Sequence, residues 1–180
     1  MKRTFKNLAG VLLAAVLFSS CGNDASLQRY YVDHQETNNF IAQDFPISLI
    51  DIDTSLLNDA QQDAYNSVDK LNFLGFKVSD TNTETYQTEL GNVTAILRDS
   101  KYNDLMEFSD KGNKVSVKYL GTEDAADEVI VFGSAPDKGF GIVRILGDDM
   151  NPEKMVTLIN AMQHANIDEG QVERIMSFFK

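Results

Sequence analysis

The chain has 180 residues, with 27 acidic against 16 basic side chains, a formal charge of −11, two histidines and one cysteine. A surface this acidic repels nucleic acid, which demands a Lys/Arg footprint. A lone cysteine leaves no internal disulfide and no cysteine-only zinc site.

Lys2, Arg3 and Lys6 precede an apolar run from Leu8 to Phe18, and Ser19-Ser20-Cys21 closes it. This is the pattern of a secretory signal peptide ending in a lipobox. It predicts cleavage after residue 20, diacylation of the Cys21 thiol and acylation of the new α-amino group. The apolar run is about half the ~20 residues that a bilayer-spanning helix needs. The expected membrane attachment is therefore the lipid on Cys21. One acyl chain holds only marginally, at ~0.8 kcal/mol per buried methylene, whereas three make a lasting anchor. No free thiol then remains for catalysis. Losing the three basic residues of 1–20 takes the formal charge from −11 to −14. Gly22 and Asn23 lack the aspartate that marks inner-membrane retention in enterobacterial sorting, so the expected location is the cell envelope, at the outer membrane.

Residues 21–37 are polar and read as a lipid-anchored tether, within which Leu27, Tyr30, Tyr31 and His34 have the spacing of one or two helical turns. The folded domain is expected over 38–180. Removal of everything before Asn38 is expected to leave its stability nearly intact.

Phe40 to Phe45 predict a strand stopped by Pro46, which cannot donate to a central ladder. The stretch 47–57 is apolar without a period. Asn58 and Gln61 form a capping box for a helix with Leu57, Ala60, Ala64, Val68 and Leu71 on one face. Phe73, Leu74, Phe76 and Val78 then predict a buried strand over 72–78. A second box, Thr81 with Glu84, opens a helix carrying Tyr86, Leu90, Val93 and Leu97. Gly91 inside it costs ~1 kcal/mol relative to alanine, which predicts a kink or close packing there.

The period changes to two around Leu105–Phe108 and again at Val115, Val117 and Tyr119, with Asp110-Lys111-Gly112-Asn113 between. A hairpin with one buried face is expected. Beyond the acidic loop 121–128, strands at 129–132 and 140–146 flank the turn 133–139. Asn151-Pro152 starts a helix striped with Met155, Leu158, Ile159 and Met162. Asp168 and Gln171 cap a last one striped with Val172, Ile175, Met176 and Phe179. The order β-α-β-α-β-β-β-β-α-α predicts an α+β fold: a single domain with a largely antiparallel sheet and helices packed on one face.

Tyr102-Asn103-Asp104-Leu105-Met106, Val115-Ser116-Val117-Lys118, Glu128-Val129-Ile130-Val131-Phe132, and Ile142 to Asp148 before Pro152-Glu153-Lys154 follow one another in an order that carries a family likeness. Together with the lipobox they resemble the lipoprotein family catalogued as domain of unknown function 4252, over roughly residues 38–165. The resemblance implies a lipoprotein of Bacteroidota-type bacteria. Some members are encoded near extracytoplasmic-function sigma factors, which implies envelope signalling. The family has no agreed activity, so no functional residue is carried over.

The remaining motifs read more simply as structure than as chemistry. Asp51-Ile52-Asp53 lacks the glycine and terminal glutamate of an EF-hand loop. Glu123, Asp124, Asp127 and Glu128 read as a solvated run, although a weak cation site in 121–128 is the competing reading. Ser134, Lys138 and the glycines of 133–141 lead into a strand, not a helix, and so do not make a P-loop. No role is expected for His34, and His164 reads as a helix-terminal cation. Arg144 is expected to be solvated or paired with a carboxylate such as Glu107. The reading is thus a non-enzymatic envelope lipoprotein without cofactor or metal, attached through Cys21 and binding an envelope protein or peptide. The alternative is an envelope hydrolase or small-ligand-binding protein using paired carboxylates among Asp51, Asp53, Asp148 and Asp149. Asp148 and Asp149 also suit the start of the following helix.

Overall fold

The computed structural model describes residues 25–49 and 53–162. Cys21 and its lipobox, Asp51, His164 and the helix expected over 168–179 lie outside the described residues.

Helix α1 (Leu27–His34) comes first, then strand β1 (Phe40–Pro46), helix α2 (Asp59–Asn66), strand β2 (Val68–Lys77) and helix α3 (Thr83–Leu97). Strands β3 (Tyr102–Asp110), β4 (Asn113–Gly121), β5 (Ala126–Ala135) and β6 (Gly139–Met150) follow, and helix α4 (Pro152–Met162) is the last described element. The six strands form one antiparallel sheet in the order β1-β2-β6-β5-β4-β3. The fold is α+β, with a four-strand meander closing back on β2. The chain crosses from β2 to the far edge through α3. Pro46 sits on an edge strand, where its missing N–H costs nothing.

Successive side chains of a strand point to opposite faces, and here both faces are covered. Phe76, Leu74, Phe140, Ile142, Ile130 and Phe132 meet α1 and α3 on one face. Val68, Ile145, Val129, Val117 and Tyr119 meet α2 and α4 on the other. The expectation of helices on a single face is corrected here. The physical reason lies in β5 and β6, where Val129 to Phe132 and Ile142, Val143 and Ile145 are apolar at successive positions. Such runs need cover on both sides.

The first helix corrects the expected tether. Leu27, Tyr30 and Tyr31 are buried, Leu27 to 1% exposure, in the same cluster as Phe76 and Phe140. Ser26 caps α1 by accepting from the Arg29 N–H. The domain therefore begins at least twelve residues earlier than Asn38.

The capping box of Asn58 and Gln61 is present, with both bonds at 2.9 Å. The helix it opens stops at Asn66, and Val68 and Leu71 belong to β2. Thr81 does not cap α3. The preceding residue is Asn82, whose side chain is taken up closing the turn with Ser79 N–H and the Lys77 carbonyl. Nor does Gly91 mark close packing. The helix continues through it, and a Cβ there meets nothing within 4 Å. Gly91→Ala should accordingly stabilise the protein by about 0.5–1 kcal/mol, seen as a raised urea midpoint with an unchanged slope. Gly139 is the opposite case. Its φ of +123° closes the β5–β6 turn, and a Cβ would lie 1.8 Å from the Phe76 carbonyl oxygen.

Candidate functional site

Four polar side chains among the described residues are buried: Asn72, Ser116, Glu128 and Arg144. All four lie on the face covered by α1 and α3, and Asn72, Glu128 and Arg144 sit close together there. Arg144 Nε and Nη2 donate to Glu128 Oε1 and Oε2 at 2.7 and 2.9 Å, a bidentate pair. Beside it, Asn72 donates to Asp44 Oδ1 at 2.5 Å, and the Tyr31 hydroxyl donates to the same oxygen at 2.6 Å. Arg144, Asn72 and Asp44 fall in one transverse row because β1, β2 and β6 pair residue for residue there.

The first helix closes this row from above. Burial raises the Tyr31 phenol above its ordinary range, and the bond to Asp44 adds to it. The Leu27 N–H donates to the Tyr102 hydroxyl at 3.2 Å, and burial raises that phenol too. The Tyr30 phenol, raised chiefly by burial, donates to Glu89 of α3 at 2.7 Å. These phenols are held neutral as donors and acceptors, so none is set up as a base. Every buried side-chain nitrogen and oxygen among the described residues has a partner. A closed and fully paired row specifies how α1 sits and exposes no reacting atom.

Arg144 thus does pair with a carboxylate, but the carboxylate is Glu128, while Glu107 pairs with Lys114 at 2.9 Å. Glu128 belongs to β5 rather than to an acidic loop. It shares the parity of Ile130 and Phe132 and so faces the core. Glu123, Asp124 and Asp127 are exposed, and the four acids do not converge. Among the described residues, no three His, Cys, Asp or Glu are grouped to hold a metal ion. Asp53, Asp148 and Asp149 are exposed; Asp53 caps the turn at Ser55. The structure does not bring these carboxylates together. Lys138 lies in the β5–β6 turn, as expected, whereas Ser134 is still in β5, paired with Lys114 and Phe140, so the turn is shorter than 133–139. His34, which the helical spacing puts on the face of Leu27, Tyr30 and Tyr31, has a structural role where none was expected. It stacks on Tyr30 at 4.0 Å, donates from Nδ1 to the Tyr30 carbonyl oxygen, and places Nε2 3.4 Å from Glu89.

A cleft of about 190 Å³ runs between the end of α3 and the β3–β4 hairpin, over Leu97 and Phe132. It is small beside the ~300–1,000 Å³ of ordinary ligand sites. Its lysines are paired internally, Lys118 with Asp104 and Lys114 with Glu107.

The second face offers a different surface. Phe108 and Val115, directly opposite each other on the hairpin, are 61% and 38% exposed. The expectation that Val115 is buried with Val117 fails because α2 and α4 cover the other end of this face. Across the sheet from Val115 the same row continues through Gly133, Gly141 and Gly75. Phe73 leans over Gly141, whereas a Cβ on Gly133 meets only a carbonyl 4.0 Å away. Gly75 is buried, so the row is least covered at Gly133, beside the exposed Phe108 ring.

The family model described as domain of unknown function, DUF4252, matches residues 30–158. The chain belongs to the DUF4252 family. Neither the curated proteins nor the solved structures give a match. The DUF4252 match begins at Tyr30, inside α1, and ends at Leu158, whose side chain is buried against α2 and the sheet. It therefore takes in Tyr30 and Tyr31, in agreement with α1 as part of the DUF4252 domain.

Proposed function

We propose that this DUF4252 protein is a non-enzymatic envelope lipoprotein, anchored through Cys21 at the outer membrane, that binds a protein or peptide partner through the open end of its sheet. The anchor rests on the lipobox, and the location on Gly22 and Asn23. The observation that carries the binding role is the exposed Phe108–Val115 pair at the end of the glycine row. An exposed aromatic ring and its β-branched partner, next to the uncovered backbone at Gly133, are suited to contact with a partner's apolar group, and aromatic anchors dominate binding energy.

The experiment is photo-crosslinking in intact cells, with the photoreactive residue placed at position 108 and, as control, at Leu56, which is also exposed. A discrete adduct from 108 alone is expected. It should vanish with Val115→Asp, while that variant stays folded, losing no more than about 1–2 kcal/mol from strand propensity and the cross-strand pair with Phe108. Equal labelling from both positions would contradict the reading. Cys21→Ser should abolish incorporation of a fatty-acid analogue, and undiminished labelling would remove the anchor.

A further inference from the structure

We infer that docking of α1 holds the domain close to the bilayer and sets which end faces it, with Lys101 and the 121–125 loop toward the membrane and the Phe108–Val115 surface away. The inference rests on the reading of Cys21 as the lipidated residue.

Five peptide steps separate Cys21 from Ser26, the cap of α1. At no more than ~3.6 Å per residue they reach at most ~18 Å, whereas a free tether to residue 38 would reach ~60 Å. The start of α1 is fixed at one corner of the sheet. Lys101 Nζ donates to the Ala25 carbonyl at 3.1 Å, and the Leu27 N–H bonds to Tyr102.

Tyr102 is the first residue of β3, which runs from that corner to Asp110 at the hairpin tip. Eight steps at ~3.3 Å put the tip ~26 Å from the corner. The β4–β5 loop lies at the corner's end, since Tyr102 pairs with Leu120, and the β5–β6 turn lies at the tip's end, since Lys114 pairs with Ser134. The mature chain is strongly acidic, so no general attraction to anionic headgroups pulls its sides down. The attachment point then determines the mean orientation. Phe108 and Val115 sit next to the tip, so the exposed ring faces a partner in the aqueous space. It is not a wedge for the bilayer that anchors it.

Cys21 is the chain's one cysteine and acylation consumes it, so an introduced thiol is the one labelling site in the acylated protein. Full-length acylated protein carrying Ser100→Cys or Lys138→Cys, both at exposed positions, is labelled with a donor fluorophore. It is then reconstituted in phosphatidylethanolamine–phosphatidylglycerol vesicles containing an acceptor lipid. Energy transfer should be at least about twofold stronger from position 100 than from 138, given the ~26 Å between the ends. Inserting twelve Gly/Ser residues after Asn23 should largely erase the difference. Equal transfer from both positions of vesicle-bound, acylated protein would overturn the orientation and leave the lipid anchor standing. Failure to acylate would overturn both.

Discussion

A chain beginning at Asn38 should be less stable than one beginning at Gly22 by on the order of 4–5 kcal/mol or more, because it lacks α1. Burying a Leu or aromatic side chain is worth ~1.5–3 kcal/mol, and α1 buries Leu27, Tyr30 and Tyr31. Its loss also strips Asp44 and Tyr102 of bonds made by Tyr31 and Leu27, and opens the Arg144–Glu128 pair to water. A domain has only ~5–15 kcal/mol in total, so the shorter chain should unfold at a much lower urea concentration or fail to fold. Coincident urea curves for the two chains would show that α1 adds nothing to the core.

Glu128→Ala should cost about 3–5 kcal/mol, the usual result of leaving a buried charge without its partner. Both side chains of the pair are 7% exposed, and the carboxylates in the row of Arg144 are already engaged, Asp44 by Asn72 and Tyr31 and Asp104 by Lys118. The double variant Glu128→Leu with Arg144→Met should recover most of the loss, since apolar groups of similar volume often replace a buried pair at no cost. A double-mutant cycle measures the coupling. A single-variant loss within ~0.5 kcal/mol would mean that water already reaches the pair.

Local signals made much of this fold readable. The capping box at Asn58, the turn at Lys111-Gly112 and the proline at 152 each act through the backbone within a few residues, so they appear in the sequence as they do in the structure. Position 91 was misleading because a glycine records freedom and not the use made of it. The tether was misleading for another reason: α1 has only eight residues, and its apolar positions alternate with Gln28, Arg29 and Asp33. So short a helix is marginal alone and is held by tertiary contacts that no local pattern displays. The same limit hid the candidate site. Glu128 and Arg144 are sixteen residues apart and meet because β5 and β6 pair. Phe108 and Val115 look like any buried hairpin pair until the reach of α2 and α4 is known. The proposed lipobox at Cys21 differs in kind, since its processing would depend on a linear pattern and not on the fold.

We propose that α1 belongs to the folded domain and would hold it close to a lipid on Cys21. Native-state hydrogen exchange on the full acylated protein tests it most directly. The amides of residues 30–35 should be protected to a degree approaching those of β2 and β6. Exchange of those amides at the rate of an unstructured chain, while the sheet remains protected, would contradict the account.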